Sequence, residues 1–260
     1  MNLHVALLTA IAALAAAALP AIADTACEAR SGPNTTALVE LYTSEGCSSC
    51  PPADAQLSRL KQALGPTAKV VPLALHVGYW DHLGWTDPYA QARFAQRQAW
   101  LVHANQHGTV YTPQFFIGGA EARAWQVSLR DAVSHRNGMP AAATILLRTR
   151  LSDGNVLTFN VEATAHAGNE PTALYMAIAE SGLVSRVMGG ENGGATLTHD
   201  HVVREWVGPI LLRGGTIRAH REIRLPASWN RDRLEMIAFV QDERTGSVLQ
   251  AVRAGPCTGA

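Results

Sequence analysis

The sequence predicts an α/β domain followed by an all-β, sandwich-like domain. In the first half, strand-like and helix-like segments follow in the order β-α-β-α-β-β-α, which is typical of a sheet with helices on both faces. In the second half, short segments of alternating apolar and polar residues are separated by turns, and no helical periodicity occurs. The pattern changes at Asn137-Gly138-Met139-Pro140. We therefore predict one domain over 24–139 and a second over 140–260.

The helices and strands predicted in the first half follow from local sequence patterns. Residues 37–42 predict a strand that leads to Cys47, and a helical pattern then continues to Gly65-Pro66. Asp87-Pro88 predicts the start of a second helix, with Asp87 as the N-cap, that extends to about Asn105. The other predicted elements are strands over 70–77, 114–118 and 121–125 and a helix over 128–136.

The second half contains about seven short strand-like segments. They cover 144–151, 157–165, 172–180, 202–207, 217–225, 234–240 and 248–252. The glycine-rich segment 189–194 lacks a following Lys-Ser/Thr and a helical pattern, so it predicts a loop and not a phosphate-binding turn. His199 and His201 lie two residues apart, and we expect both to be exposed polar residues.

Composition excludes several classes of protein. Hydrophobic residues make up 47% of the chain, enough for a packed core, which argues against a disordered chain or a coiled coil. The 21 Lys and Arg residues balance the 21 Asp and Glu residues. No overall field therefore attracts nucleic acid or an anionic membrane, and we predict neither as a partner.

The N-terminus has the pattern of an export signal. Residues 5–19 are almost wholly apolar, and Pro20 and Ala21-Ile22-Ala23 follow as a cleavage site. A membrane anchor is the alternative, but the run is short for a bilayer span. We predict a signal peptide over 1–23, and a mature protein that is periplasmic or secreted and does not cross a membrane.

Four cysteines in an oxidising compartment allow three pairings. Cys47 and Cys50 form a C-x-x-C pair, whereas Cys27 and Cys257 lie near the two ends of the mature chain. Chain termini often lie close together, so we predict Cys27–Cys257 as a structural disulfide. A bridge between Cys47 and Cys50 closes too short a loop to stabilise the fold much.

The chemistry is predicted at this C-x-x-C pair. A cysteine between a strand and a helix lies at the helix N-terminus, where backbone N–H groups and the helix dipole favour its thiolate. Cys47 is the predicted nucleophile, with the lower pKa and the greater accessibility when reduced, and Cys50 resolves the mixed disulfide. Thr112-Pro113 precedes a strand, and we predict a cis bond there beside the cysteines, so that Thr112 and Pro113 face the substrate.

These residues resemble the thioredoxin-like superfamily, in which a C-x-x-C pair and a later Thr-Pro occur in this order; the resemblance covers about residues 35–137. A more specific resemblance is to an uncharacterised family of secreted bacterial proteins with a thioredoxin-like N-terminal domain. It implies the fold but no established reaction. The matching segments are ELYTSEGCSSCPPAD (40–54), HVGYWD (76–81), GWTDP (84–88), VYTPQ (110–114) and GEN (190–192).

Two features depart from the superfamily's redox-active pattern. Pro51 and Pro52 remove two N–H donors near Cys47, which weakens the expected stabilisation of a thiolate. The buried acid of thioredoxins lies six residues before the first cysteine, where this chain has Leu41; Glu40 lies seven before and is expected on the other sheet face. Glu40 is therefore either a proton acceptor for Cys50 or a residue bonded at a domain contact.

Two function classes follow. The first is an exported thiol–disulfide oxidoreductase that acts on protein or small-molecule disulfides and thiols and needs no cofactor. The second is a non-catalytic exported binding protein in which the C-x-x-C pair is a structural disulfide or a metal clasp. His76, Asp81 and His82 could complete such a metal site with the two cysteines, although the spacing matches no compact zinc module. We therefore predict no metal.

Overall fold

The computed structural model describes residues 27–106, 108–152, 154–166 and 171–255. Of these residues, 44% lie in strands and 21% in helices. The predicted signal peptide over 1–23 lies outside them. The helices are α1 (Pro51–Leu64), α2 (Ala92–Ala104) and α3 (Trp125–Gly138). The strands are β1 (Cys27–Arg30), β2 (Ala37–Thr43), β3 (Val70–His76), β4 (Gln114–Ile117), β5 (Ala120–Glu121), β6 (Ala143–Leu151), β7 (Val156–Ala165), β8 (Thr172–Glu180), β9 (Leu183–Arg186), β10 (Thr196–His199), β11 (Val202–Leu211), β12 (Thr216–Arg224), β13 (Leu234–Asp242) and β14 (Val248–Ala254).

One eight-stranded sheet contains strands from both halves of the chain. Its order is β14-β13-β8-β11-β3-β2-β4-β5. The two halves join where β11 runs parallel to β3, with Val202 paired to Ala74. A four-stranded sheet has the order β1-β6-β7-β12, and β9 and β10 form a separate two-stranded sheet.

The predicted fold class, a thioredoxin-like α/β domain followed by an all-β sandwich, is wrong. The described chain is mostly β-sheet, and its largest sheet is not confined to either half. Apolar patterns identified most of the strands, though not β1, β9 and β10, and they did not show which strands pair. All nine residues of β8 are buried, so this strand needs cover on both faces, and β11 and β13 pair with its two edges. The predicted domain boundary at 139–140 falls between α3 and β6, and as a division into domains it stays a prediction.

The two faces of the eight-stranded sheet are covered differently. On one face, α2 packs Phe94 and Leu101 against the sheet. On the other face, α1 and α3 pack over β2, β3 and β4, and the four-stranded sheet packs over β8, β13 and β14. Residues that are paired across neighbouring strands point to the same face of a sheet. Val202 is paired with Ala74 on one side and with Glu180 on the other, so the area under α1 and α3 and the area under the four-stranded sheet lie on one face. This second face carries the cysteine pair.

The second helix begins later than predicted. It starts at Ala92, not at Asp87. The Asp87 side chain instead accepts a bond from the Tyr89 amide, 2.9 Å away, and contacts His76. One oxygen of Asp87 therefore closes a local turn, and the other oxygen contacts His76.

Candidate functional site

The two cysteines lie at the start of α1. Cys47 and Cys50 form a disulfide with a Cα–Cα distance of 5.5 Å. Cys50 is the N-cap, Pro51 begins the helix, and the Cys50 carbonyl accepts bonds from the amides of Ala53 and Asp54 at 2.9 and 3.1 Å. Proline fits this first turn because its missing N–H has no partner there in any helix. The sequence therefore places the cysteine pair as predicted, at a helix N-terminus.

A loop from the second half binds the backbone of the segment that carries Cys47. The Asn192 amide donates to the carbonyls of Glu45 and Cys47, each at 2.9 Å. The Glu191 carboxylate accepts a bond from the Ser48 amide at 2.8 Å, and this contact lowers the pKa of Glu191. Both cysteines are fully buried in this disulfide form, whereas Ser48 and Ser49 are exposed. The predicted accessibility of Cys47 concerns the reduced protein and stays a prediction.

Trp80 connects the cysteine loop to the Thr112-Pro113 segment. The Trp80 ring donates to the Thr112 hydroxyl at 2.8 Å, and a Cβ atom on Gly46 would lie only 2.9 Å from the Trp80 Cβ. Only glycine at position 46 permits this close approach. The Thr112–Pro113 bond is cis, as predicted, and both residues are half-buried. Their predicted role in facing a substrate stays a prediction.

A carboxylate and a histidine form the first buried pair behind the disulfide. Glu45 accepts from His199 Nε2 at 3.0 Å and from the Trp85 ring at 2.8 Å. Burial raises the pKa of Glu45, but these hydrogen bonds outweigh it and lower the pKa below its ordinary value. An ionised Glu45 only accepts, so the proton lies on His199 Nε2 and leaves Nδ1 without a partner.

A second buried pair has the same form. His76 Nδ1 lies 2.8 Å from Asp87 Oδ2, which also accepts from the Glu45 amide at 2.8 Å. Burial opposes charge on both groups, yet Asp87 raises the pKa of His76, and His76 lowers the pKa of Asp87. His76 Nε2 has no partner, and the two histidine rings meet edge to face with centroids 5.0 Å apart.

Asp54 completes the buried cluster, which we call the polar cluster: Glu45, Asp54, His76, Asp87 and His199. Burial is the main cause that raises the pKa of Asp54, and the neighbouring Thr43 hydroxyl opposes this rise, although neither Thr43 Oγ1 nor Asp54 Oδ1 forms a hydrogen bond of ordinary geometry. The cluster thus holds three unpartnered buried atoms, each of which costs about 1–3 kcal/mol when left unsatisfied. A pocket of about 380 Å³ between α1 and β10 reaches Asp54 and His199. The cluster lies where parallel β2 and β3 end, at Thr43 paired with His76.

Glu40 lies on the opposite sheet face, with α2. Its carboxylate forms two bonds with Arg97, of 2.7 and 3.1 Å, and Arg97 also donates to Gln241 from the second half at 2.9 Å. The alternative of a bonded glutamate at a contact between the two halves is therefore correct. The residue has no contact with the cysteines.

The remaining predictions concern three sets of residues. His82 is exposed and bonds the Tyr79 carbonyl, and in the described part of the chain no three His, Cys, Asp or Glu side chains are arranged to bind a metal. Cys257 lies outside the described residues, and with it the predicted bridge to Cys27. The expectation that His199 and His201 are exposed is wrong, because both are buried on carboxylates, Glu45 and Glu235.

Sequence reasoning assigned no site role to four members of the polar cluster, among them Asp87, which it predicted only as a helix N-cap. Asp54 follows Cys50 by four residues, the spacing that places two side chains on one helix face, so this signal was present. Glu45 and His199 lie 154 positions apart, and no local pattern connects them.

The chain belongs to a protein family whose function is not established. The chain is a member of the family described as "Protein of unknown function (DUF1223)", which matches residues 38–241. Membership of a family of unknown function is thereby confirmed, whereas the secreted character and the thioredoxin-like domain predicted for that family are not shown by the match. Among proteins with curated descriptions, none shows significant sequence similarity to this chain.

Two solved structures share the fold. A crystal structure of a protein from Agrobacterium tumefaciens, a structural genomics target, is 24% identical with a TM-score of 0.63, covering 86% of this chain and 95% of that one. HBP35 of Porphyromonas gingivalis is 16% identical with a TM-score of 0.66, covering 86% and 76%. At these identities the likeness concerns the fold alone. Within the described residues, no helix has the length and apolar character needed to span a bilayer.

Proposed function

We propose that this chain is an exported thiol–disulfide oxidoreductase that uses the Cys47–Cys50 pair. The observation that carries the proposal is the disulfide at the N-terminus of α1, packed in the same part of the fold as a polar cluster with unpartnered atoms. A disulfide that closes so short a loop contributes little stability. Buried polar atoms without partners are likewise unfavourable for folding. Both features are more readily explained by chemistry than by structure.

The exchange moves two electrons and two protons. A substrate thiolate attacks the Cys47 sulfur, the Cys47–Cys50 bond breaks, and Cys50 leaves as a thiolate that takes up a proton. A second substrate thiolate then attacks the substrate sulfur of the mixed disulfide, and Cys47 leaves and is protonated. The substrate dithiol has become a disulfide and the protein a dithiol; the reverse sequence reduces a substrate disulfide.

Asp54 is the proposed proton partner of Cys50. The two residues are four positions apart on one helix, which places them on the same face, and both are buried. Burial raises the pKa of Asp54, so its carboxyl can hold a proton at a pH where an exposed aspartate is ionised. His76 and His199 both act electrostatically on Asp54, and each has a ring nitrogen free to exchange a proton.

The substrates proposed are protein or small-molecule disulfides and thiols. Export to the periplasm or the outside rests on the signal sequence over 1–23 and on the need for an oxidising compartment. Both cysteines are buried, so substrate access requires a local movement, and the loop carrying Glu191 and Asn192, which bonds the Cys47 segment, is the proposed moving part. Thr112 and Pro113, joined to the cysteine loop through Trp80, are proposed to face the substrate.

Complete burial of both sulfurs favours a second candidate, an exported binding protein with an inert structural disulfide. The two candidates differ in whether the bond exchanges in the folded protein. An inert bond should reduce only when the chain unfolds.

The test is equilibration of the full chain in glutathione buffers of graded ratio, followed by alkylation and mass spectrometry of each cysteine. We expect Cys47 and Cys50 to become alkylated while circular dichroism still shows a folded protein. Cys50→Ser should form a stable mixed disulfide through Cys47 with a disulfide-containing peptide. Cys47→Ser is the matched control, and we expect it to trap much less.

A pair that resists reduction until the fold is lost would rule out the oxidoreductase. Equal trapping by Cys47→Ser and Cys50→Ser would contradict the assignment of roles, because it would mean that either sulfur is attacked equally well.

A further inference from the structure

A second cavity lies near the other end of α1 and has a strongly basic lining. Its volume is about 610 Å³, within the range of small-molecule sites. Arg30, Lys61, Lys69 and Arg253 line it, and its described lining contains no Asp or Glu. The chain has only two lysines and a net charge of zero, so this concentration of positive charge is local.

The four cations come from separate parts of the fold. Arg30 ends β1, Lys61 lies in the last turn of α1, Lys69 precedes β3, and Arg253 lies in β14. The cavity therefore forms where the four-stranded sheet, the eight-stranded sheet and α1 meet, and pockets prefer such junctions. Lys61 is ten residues beyond the start of α1, or roughly 15 Å along the helix from the disulfide.

The cations exceed the carboxylates that neutralise them. Lys61 and Arg253 both contact one oxygen of Glu235, each at 2.6 Å. Burial favours the neutral acid, but His201 and Lys61 lower the pKa of Glu235 to about 2, so it supplies a single negative charge. Burial lowers the pKa of Lys61 despite that partner. Glu235 is thus the shared ion-pair partner of Lys61 and Arg253, and Asp200 acts on Lys61 only through its charge, without an ion pair.

Lys69 has no carboxylate partner among the described residues. Its ammonium group lies against the backbone of Gly32, where an added Cβ would be 3.0 Å from Nζ, and Gly32 also lines the cavity. Among the residues that the structure describes, the carboxylate partner of Arg30 is the neighbouring exposed Glu28, at 3.5 Å. Such exposed pairs contribute little and leave the guanidinium free to bind another anion.

We infer that this cavity binds a small molecule with at least two carboxylate or phosphate groups. A single negative charge would neutralise only part of the lining, whereas two or more match Lys69, Arg30 and the unbalanced charge beside Glu235. Arginine and lysine both bind these groups, arginine through paired hydrogen bonds. The inference is independent of the proposed disulfide exchange.

Calorimetric titration of the full chain at low ionic strength tests it, with citrate and pyrophosphate as probes and acetate as the singly charged control. We expect saturable 1:1 binding of at least one polyanion, much weaker binding of acetate, and affinity that falls with added salt. Tighter binding of citrate would indicate a carboxylate ligand, and tighter binding of pyrophosphate a phosphate ligand.

Lys69→Gln should weaken binding roughly tenfold, the loss expected for one charge-assisted hydrogen bond. Arg218→Gln is the matched control, because it removes the same charge from a side chain that is 86% exposed on β12, outside the cavity lining. Lack of saturable binding by the unmodified protein, or equal weakening by Lys69→Gln and Arg218→Gln, would overturn the assignment. Retained disulfide exchange in Lys69→Gln would show that the two sites work separately.

Discussion

Two buried ionic networks lie on opposite faces of the eight-stranded sheet and differ in how completely their atoms are bonded. On the α2 face, both oxygens of Glu40 bond to Arg97, and the Arg97 guanidinium also contacts Gln241. Four aromatic rings surround that guanidinium at 4.9–5.6 Å. On the α1 face, the polar cluster leaves atoms of Asp54, His76 and His199 without partners.

The difference separates a network that holds the fold from one suited to chemistry. The charges of Glu40 and Arg97 compensate each other, and Arg97 connects the two halves of the chain through its bond to Gln241. The polar cluster leaves hydrogen-bonding atoms without partners, which lowers the stability of the fold. It lies at the N-terminus of α1, next to the cysteine pair. Both networks are buried, but the polar cluster holds three carboxylates and two histidines where the other network has one ion pair, and only the polar cluster leaves bonding capacity unused.

Arg97→Met should give the largest effect. It leaves the Glu40 carboxylate buried without its cation, and breaking such a pair costs about 3–5 kcal/mol. The free energy of unfolding, measured by urea denaturation, should fall by that amount. The double variant Glu40→Gln, Arg97→Met removes the uncompensated charge and should recover part of the loss. Equal stability of the single and double variants would show that the pair is not the cause.

Asp54→Asn should give an intermediate effect that depends on pH. Burial raises the pKa of Asp54 in the folded protein, so its contribution to stability is full below about pH 4 and is lost as the pH rises through the folded-state value. Asparagine cannot ionise and avoids this loss. The variant should therefore gain stability relative to the unmodified protein with rising pH, by on the order of 1–3 kcal/mol at most.

Urea denaturation at pH 4 and pH 8 measures this change. Asp131→Asn is the control, because Asp131 is exposed on α3, and it should show little pH-dependent difference. A constant difference for Asp54→Asn at both pH values would contradict a raised pKa at Asp54.

Asn192→Ala should give the smallest effect on stability and a clear effect on the disulfide. It removes two hydrogen bonds to the carbonyls of Glu45 and Cys47, worth about 1 kcal/mol of net stability. A less firmly held loop should expose the sulfurs more often and increase the rate at which dithiothreitol reduces them. Asn160→Ala, an exposed change on β7, should leave that rate unaltered. A slower reduction in Asn192→Ala would mean that the loop does not limit access.

Local sequence patterns predicted the elements around the site better than the site itself. The C-x-x-C pair before a helix, the strand at 70–77 and the cis Thr112–Pro113 bond all occur as predicted. Each depends on residues close together in the chain, such as Pro51 at a helix start. The buried setting of His199 depends instead on a glutamate 154 positions away, and a lone histidine in a strand carries no sign of it.

The sequence by itself indicated most of the helices and strands, because hydrophobic periodicity and turn residues act over a few positions, but it missed β1, β9 and β10 and began α2 too early. It also placed Glu40 on a different sheet face from the cysteine helix, since side chains alternate along a strand. Only the tertiary structure decided that β11 joins β3 in one sheet, and that Asp54, His76 and His199 meet behind the disulfide. Strand edges and buried polar atoms gain partners only when distant segments pack together, so their pairing is a property of the folded chain.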